Sequence, residues 1–462
     1  MSNRIAVFGG SFNPPSLHHR ELVTALAKQF DRVIIVPHGP RPDKPATNDV
    51  EPIHRAVMND LAFRGIPNVR LELFDLEALT FTRTDELERM FASEGEIWHV
   101  VGSDLIQNGS TGESFIHRVF DRGPELWESL RFAVVRRSGF EIFHDDLPPN
   151  HEIVDVSVEG STFAIREQAF RRQSLEGMVT PEVASYIDRY RLYRGTIVSN
   201  TATWRADPKL LIFHDERNPK AVAIADRFAK YSSTEPNCIL AIGGDGTMLA
   251  AIRQHWRMRL PFFGVNAGHL GYLLNGNERV PDSLFPDDGI TLRHLPMLYV
   301  ETHGADGVVR SDLCFNDTWL ERAGSQTAWI EVKIDGQVRL PKLVADGVLI
   351  STAAGSTAYA RSMGAAPLLA DTPAIVIVGS NVMQPPGFRS ALLGLDSEVE
   401  WTSLGGEKRP LIGYVDGIPQ GNVVHMKVRA SRIAAAELGF MPDHDMAEKI
   451  AQLQFPNWGS TF

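Results

Sequence analysis

Arg4-Ile5-Ala6-Val7-Phe8-Gly9-Gly10-Ser11-Phe12-Asn13-Pro14-Pro15-Ser16-Leu17-His18-His19 is the stretch on which the reading of this chain turns. A short apolar run, 5–8, stops at paired glycines and leads into a segment of helical spacing. A strand that ends in small residues before a helix leaves backbone N–H groups turned toward an anion. The glycines let a phosphate come close to the backbone, because no side chain intervenes. A second turn of a different type, Gly243-Gly244-Asp245-Gly246-Thr247, follows the apolar run 238–242. Two phosphate-handling turns in one chain imply two reactions on related nucleotides.

Around the first turn, residues 4–193 alternate β-branched runs with amphipathic stretches. Strands are predicted over 5–8, 33–36, 69–74, 98–101, 132–135 and 153–156, and helices over 20–29, 54–63, 84–93, 164–172 and 181–189. Such alternation predicts an α/β fold, a parallel sheet covered on both faces. A polar stretch, 195–208, reads as a linker. Around the second turn, strands over 210–213, 238–242 and 261–265 alternate with helices over 219–231 and 247–255. After about residue 290 the helical period fades, and short strands are separated by Gly, Pro and Asp turns, which predicts a separate β-rich domain. The expected organisation is a first domain at 1–194, the linker at 195–208, an α/β domain at 209–290, a β-rich domain at 291–440 and a tail at 441–462.

At 462 residues the chain exceeds one ordinary core. Its 43% hydrophobic and 22% charged residues are those of a globular protein. A net charge of −11 argues against a general nucleic-acid-binding surface, while leaving room for small anions at helix N-termini and local Arg or Lys. Cys238 and Cys314 match no metal spacing and sit in apolar runs, so buried thiols in a reducing compartment are expected. With no basic-then-apolar leader and no apolar run long enough to span a bilayer, the expected location is cytoplasmic, without membrane partners.

The residues from Gly10 to His19 resemble the G-x-F-x-P-x-(H/T)-x-x-H signature of nucleotidyltransferases related to nicotinamide and nicotinate mononucleotide adenylyltransferase. Pro37, Lys44, Arg55 and Met58 match further positions of that family, as do Gly102-Ser103-Asp104 with Trp127 downstream, and Ser161 to Arg166. The tail Pro181 to Tyr193 resembles its pyridine-nucleotide members in particular. Ser16 stands where the first paired histidine is usual, and Phe163 where a Thr is usual. The resemblance implies a Rossmann-like nucleotidyltransferase fold and adenylyl transfer from ATP to the mononucleotide, amide or acid. It implies His19 and Ser16 at the ATP phosphates, with Gly9, Gly10, Ser11 and Phe12 in the turn. It also implies Lys44 and Arg166 at the triphosphate, Asp104 at the ribose or magnesium, and Trp98 and Trp127 as stacking rings for the pyridine. Two other readings stay open: a nucleotide-binding regulatory module, and a transferase acting on another phosphorylated acceptor.

The second turn resembles that of NAD kinases. Asn266-Ala267-Gly268 through Leu273 is similar to their N-x-G-x-L-G-F-L block, and Ala345-Asp346-Gly347 through Ser362 to their long serine–threonine–tyrosine block. Asn316-Asp317 stands where Asn-Glu is usual, and Asp416-Gly417 matches a late Asp-Gly. The resemblance implies an NAD kinase fold and phosphate transfer to the adenosine 2′-hydroxyl of NAD. Asp245 is then the base. Gly243, Gly244, Gly246 and Thr247 cradle phosphate, and Asn266, Asn316, Asp317, Asp346, Thr357, Ala358, Tyr359 and Ser362 hold the dinucleotide. Magnesium is expected to arrive with ATP, with no all-protein metal cage and no tightly bound organic cofactor. A homo-oligomer, dimer or tetramer, is part of the same resemblance.

Overall fold

Strand β1 (Arg4–Gly10) ends in the first glycine turn and lies at the centre of a six-stranded sheet. Its companions are β2 (Arg32–Pro37), β3 (Val69–Leu71), β4 (Glu96–Gly102), β5 (Phe132–Arg137) and β6 (His151–Val158). All pairings are parallel, in the order β3-β2-β1-β4-β5-β6. Val33, Ile34, Ile35 and Val36 of β2 are fully buried, as expected of a strand covered on both faces. The strand order reverses between β1 and β4, so the C-terminal ends of these two strands open a crevice. The computed structural model describes residues 3–40, 50–137, 139–158, 162–195, 201–268, 271–442, 444 and 446–455. The chain divides into two units, Met1–Val198 and Ser199–Phe462.

Two expectations for the first unit change. The strand predicted over 69–74 stops at Leu71, and a short helix, Phe74–Ala78, follows. Fully buried Asp75 gathers hydrogen bonds from Thr80 and Thr82, which draws the chain out of the sheet. The helix predicted from residue 20 starts earlier, at Leu17, because Ser16 caps it.

In the second unit, Leu210–His214, Cys238–Gly243 and Phe262–Asn266 form a parallel layer. Phe262 and Phe263 also pair in parallel with Leu438 and Gly439, at the end of the 23-residue strand Ile418–Phe440. That strand pairs antiparallel with Ile290–Gly304, Val399–Ser403 and Leu411–Val415. One strand therefore belongs to both the α/β layer and the β-rich region. The core follows it: Ile239 and Phe262 share a cluster with Phe315 and Ala354. The α/β layer and the β-rich region expected from residue 291 are thus joined through this one strand. Part of the expected linker is a strand as well, since Thr201–Trp204 pairs with Ile290–Gly304. The expected tail contains a helix, Met446–Gln454. Both cysteines are buried and free. No helix of the described residues is long and apolar enough to cross a membrane.

Candidate active sites

At the end of β1 the turn is tight. A Cβ on Gly9 would stand 2.5 Å from Nε2 of His38, so any side chain there would have to displace the His38 ring. Phe12 holds φ at 40°, an uncommon backbone for a bulky residue, and its ring is buried against Phe8, His19 and Phe63. Only the backbone of Phe12 is left to meet a ligand. Arg55, 2% exposed, donates to the carbonyl oxygens of Ser11 and His38 at 2.6 Å each, and so braces the turn from below. Burial lowers its pKa to about 10.

Ser16 and His19 form a closed hydrogen-bonded unit. The Ser16 hydroxyl accepts from the His19 N–H at 3.3 Å, while the Ser16 N–H donates to His19 Nδ1 at 3.0 Å. The hydroxyl also lies 2.9 Å from Nδ1 and donates its proton there. Nδ1 is therefore an acceptor, which leaves the proton of a neutral ring on Nε2. Burial, then the charges of His18 and Arg137, lower the His19 pKa to about 4. At neutral pH this histidine offers an N–H rather than a positive charge. The serine expected at the ATP phosphates is spent on capping the helix and orienting the imidazole.

Positive charge comes from arginines. Arg166 donates to the carbonyl oxygen of Asn13 at 2.7 Å, which brings the second signature onto the first turn. Asp104, just past β4, is paired with Arg137 at 2.5 Å, and its Oδ1 is buried without a partner among the described residues. Arg137 has no part in either signature, and the fold alone carries it to His19. His38 was also not anticipated: its Nδ1 lies 3.0 Å from Asp75 Oδ2, which turns Nε2 toward Gly9. Phe163 is 66% exposed. Lys44 and Ser161 lie outside the described residues.

The two tryptophans do not line this crevice. Trp127 is buried in a cluster with Ile116, Leu130 and Phe132. Trp98 pairs with Ala6, toward the N-terminal end of the strands, and packs on Phe30 with Arg4 over its ring. The stacking role came from the resemblance alone; Trp127 lies on the helix Gly123–Ser129 and Trp98 on β4, and the fold uses both rings as packing.

In the second unit, Asp245 opens the helix Asp245–His255 directly after Cys238–Gly243. A Cβ on Gly243 would stand 2.2 Å from Thr247 Oγ1, whereas Gly244 and Gly246 face open space. The Asp245 carboxylate accepts from the N–H groups of Tyr272 and Leu273, each at 3.0 Å. Burial raises its pKa, while these amides and Lys449 lower it. A half-desolvated carboxylate at a helix N-terminus beside unobstructed glycines can accept a proton next to a bound phosphate. Asn266 bends the following turn by accepting from Gly268 N–H at 2.9 Å.

Asn316 and Asp317 are held from below by Asp416, which accepts from the N–H groups of Phe315 and Asn316 at 2.8 Å and of Asp317 at 3.3 Å. Among the described residues, Asn316 Oδ1 and Asp317 Oδ2 are buried without a hydrogen-bond partner. Burial and the Asp416 charge push Asp317 up to about 7, against a hydrogen bond from the Tyr359 N–H. Orphaned buried polar atoms are costly unless a ligand or water meets them. Tyr359 stands edge-on to Trp319, which stacks on Tyr414 at 4.7 Å and 11°. Tyr272 and Leu273 share a small cavity with Ala354 and Thr357, so the block that begins at Asn266 and the serine–threonine–tyrosine block meet. Ala358 is half-buried and Ser362 exposed on the same segment.

Asp346 is placed elsewhere. Its strand pairs with Asp317–Arg322 so that Asp317 faces Ser351 while Glu321 faces Gly347. Asp346 therefore sits at the far end of the ladder, roughly 16 Å from Asp317 at about 3.3 Å per residue. There it accepts from Arg322 at 2.6 Å and Asn381 at 2.7 Å. Within one copy of the chain it does not join the other expected dinucleotide contacts. The register, invisible in the motif, decides this.

Comparison with known proteins adds an independent line. Residues 7–168 match a family model described as cytidylyltransferase-like, and residues 197–279 match the ATP-NAD kinase N-terminal domain. An NAD kinase of Cereibacter sphaeroides is 32% identical over 242 residues, covering 50% of this chain and 91% of that protein. An NAD kinase of Mesorhizobium japonicum is 34% identical over 239 residues, covering 50% and 90%. Among solved structures, a yeast NADH kinase complexed with NADH aligns with a TM-score of 0.48 and 18% identity, over 57% of this chain and 92% of that one.

Proposed function

We propose, for a chain that belongs to the NAD kinase family and carries a cytidylyltransferase-like domain ahead of the kinase, that it makes NAD and then phosphorylates it. The observation that carries the kinase reading is Asp245, a half-buried carboxylate held by two backbone amides beside open glycines. Asp245 takes the proton of the adenosine 2′-hydroxyl. The oxygen attacks the γ-phosphorus of magnesium-ATP, the bond to the β,γ-bridging oxygen breaks, and ADP leaves. Asn316 Oδ1 and Asp317 Oδ2, which lack partners among the described residues, accept from the dinucleotide's donors. Tyr359, against Trp319, offers an aromatic edge beside them.

The first unit, on this proposal, transfers the adenylyl group. An oxygen of the mononucleotide phosphate attacks the α-phosphorus of ATP, the α,β-bridging bond breaks, and pyrophosphate leaves. Positioning and charge stabilisation suffice for such a step. The His19 Nε2–H, the helix N-terminus at Leu17 and the Arg166 guanidinium supply them. The pairing with a kinase favours the amide mononucleotide, whose product needs no further step before phosphorylation.

A competing reading makes the first unit a nucleotide-binding module. It draws on the Ser16 hydroxyl and the Arg55 guanidinium, both committed to internal hydrogen bonds. One incubation with magnesium-ATP and nicotinamide mononucleotide, followed by chromatography, separates the two. NADP from the mononucleotide, with accumulation stopping at NAD in Asp245→Asn, is the expected result. Consumption of added NAD but of neither the amide nor the acid mononucleotide would leave a kinase alone. A kcat/KM on the acid at least equal to that on the amide would overturn the amide preference.

A further inference from the structure

The helix Met446–Gln454 lies in the stretch read from sequence as a tail, yet it reaches the kinase site. Met446 is buried in the cluster that contains Ile239, Met248, Leu273 and Leu274. That anchor seats Lys449 over residues 271–274, in the loop that follows Phe262–Asn266. Its Nζ donates to the carbonyl oxygen of Gly271 at 2.9 Å and of Leu274 at 2.8 Å. Between those carbonyls lie the two N–H groups, of Tyr272 and Leu273, that hold the Asp245 carboxylate. Four consecutive residues thus present carbonyls to an ammonium and amides to a carboxylate. The same helix lines the cavity that Tyr272 shares with Thr357.

We infer that Lys449 is a positioning residue of the kinase site, clamping residues 271–274 so that Asp245 is fixed, and supplying the charge that keeps Asp245 a base. The inference rests on the assignment of Asp245 above. Nothing in the glycine turn or the two motif blocks points to residue 449, which meets the loop from 178 and 175 residues away.

The charge balance around the pair has a definite sign. Burial raises the Asp245 pKa, and Lys449 opposes it together with the two amides. Tyr272 faces the same carboxylate, and Arg361 faces Tyr272. Lys449 itself is lowered by burial and Arg279, and raised by Asp245 and Glu278. Removing the ammonium removes a positive charge that favours ionised Asp245, so its pKa rises. Less base is then present at a given pH, and the acidic limb of kinase activity moves up.

Full-length K449Q, K449M and K449R would be assayed with magnesium-ATP and NAD from about pH 5 to 9, beside D245N. Glutamine still donates to the carbonyls but carries no charge. K449Q is expected to move the acidic limb of kcat/KM up by about one pH unit, with KM for NAD within about twofold. K449M is expected to move the limb likewise and to lower kcat about tenfold, since the clamp is lost too. K449R should restore both. K449M with wild-type kcat and limb overturns the inference, as does K449R as impaired as K449M. Should K449M fail to give a cooperative melt, the limbs of K449Q and K449R decide, and equal limbs overturn the charge role. Active D245N overturns the base assignment and this inference with it. Inactive D245N beside wild-type-like K449M overturns the role of Lys449 alone.

Discussion

Asp317 is a carboxylate whose environment opposes its charge. Its own burial and the Asp416 carboxylate raise it from an ordinary 3.8 to about 7. The folded protein therefore holds a proton that the unfolded chain releases. The resulting stability is fully present below the unfolded pKa and is lost as pH rises through the folded one. Between about pH 4 and 7, wild type should lose on the order of 1 kcal/mol per pH unit more than Asp317→Asn. Denaturant melts of both proteins across that range check this, and a constant difference would mean that folded Asp317 is already ionised. The sequence singled out Asn316-Asp317 by its resemblance to a dinucleotide-holding pair. Its titration was not legible there, because Asp416 arrives from a hundred residues downstream of Asn316.

At the scale of an element, the helix Leu17–Gln29 matters through its first turn. Ser16 and His19 form a reciprocal cap in which the imidazole takes the place more often held by Glu or Gln. Fixing the helix and fixing the imidazole are one act. Ser16→Ala should cost about 1 kcal/mol of stability and lower adenylyl transfer about tenfold, with Ser16→Thr close to wild type in both. Thermal melts and single-turnover transfer would measure the two effects separately. A lower melting point with unchanged transfer would reduce the hydroxyl to a cap. The helix was legible from its apolar spacing; its start was not, because the cap is a side-chain contact rather than a period.

For the whole molecule, the division falls where the sheets do. The six-stranded sheet closes within Met1–Val198, and the strand Ile418–Phe440 ties the α/β layer of the second unit to its β-rich region. Residues 199–462 expressed alone should fold cooperatively and keep NAD kinase activity. A fragment ending at residue 290 should not fold, since it loses the parallel neighbour of Phe262–Asn266 and most of the shared core. Far-UV spectra, melts and kinase assays of both fragments test this. A cooperative melt from the shorter one would make the α/β domain expected to end near residue 290 a folding unit of its own.

The chain's sequence by itself determined the two glycine turns, the alternation that makes parallel layers, the arginine, histidine and aspartate around the first turn, and Asp245 in the second. These are local facts: a strand must end where glycines stand, and a phosphate turn needs only a few neighbours. Tertiary structure alone decided that Trp98 and Trp127 pack rather than stack, and that Asp346 lies at the wrong end of its ladder. It also brought Arg137 to His19, Asp416 under Asn316 and Lys449 onto the Asp245 loop. A period of two tells which residues share a face, not which strand lies beside which, nor in what register. Contacts between distant segments depend on both.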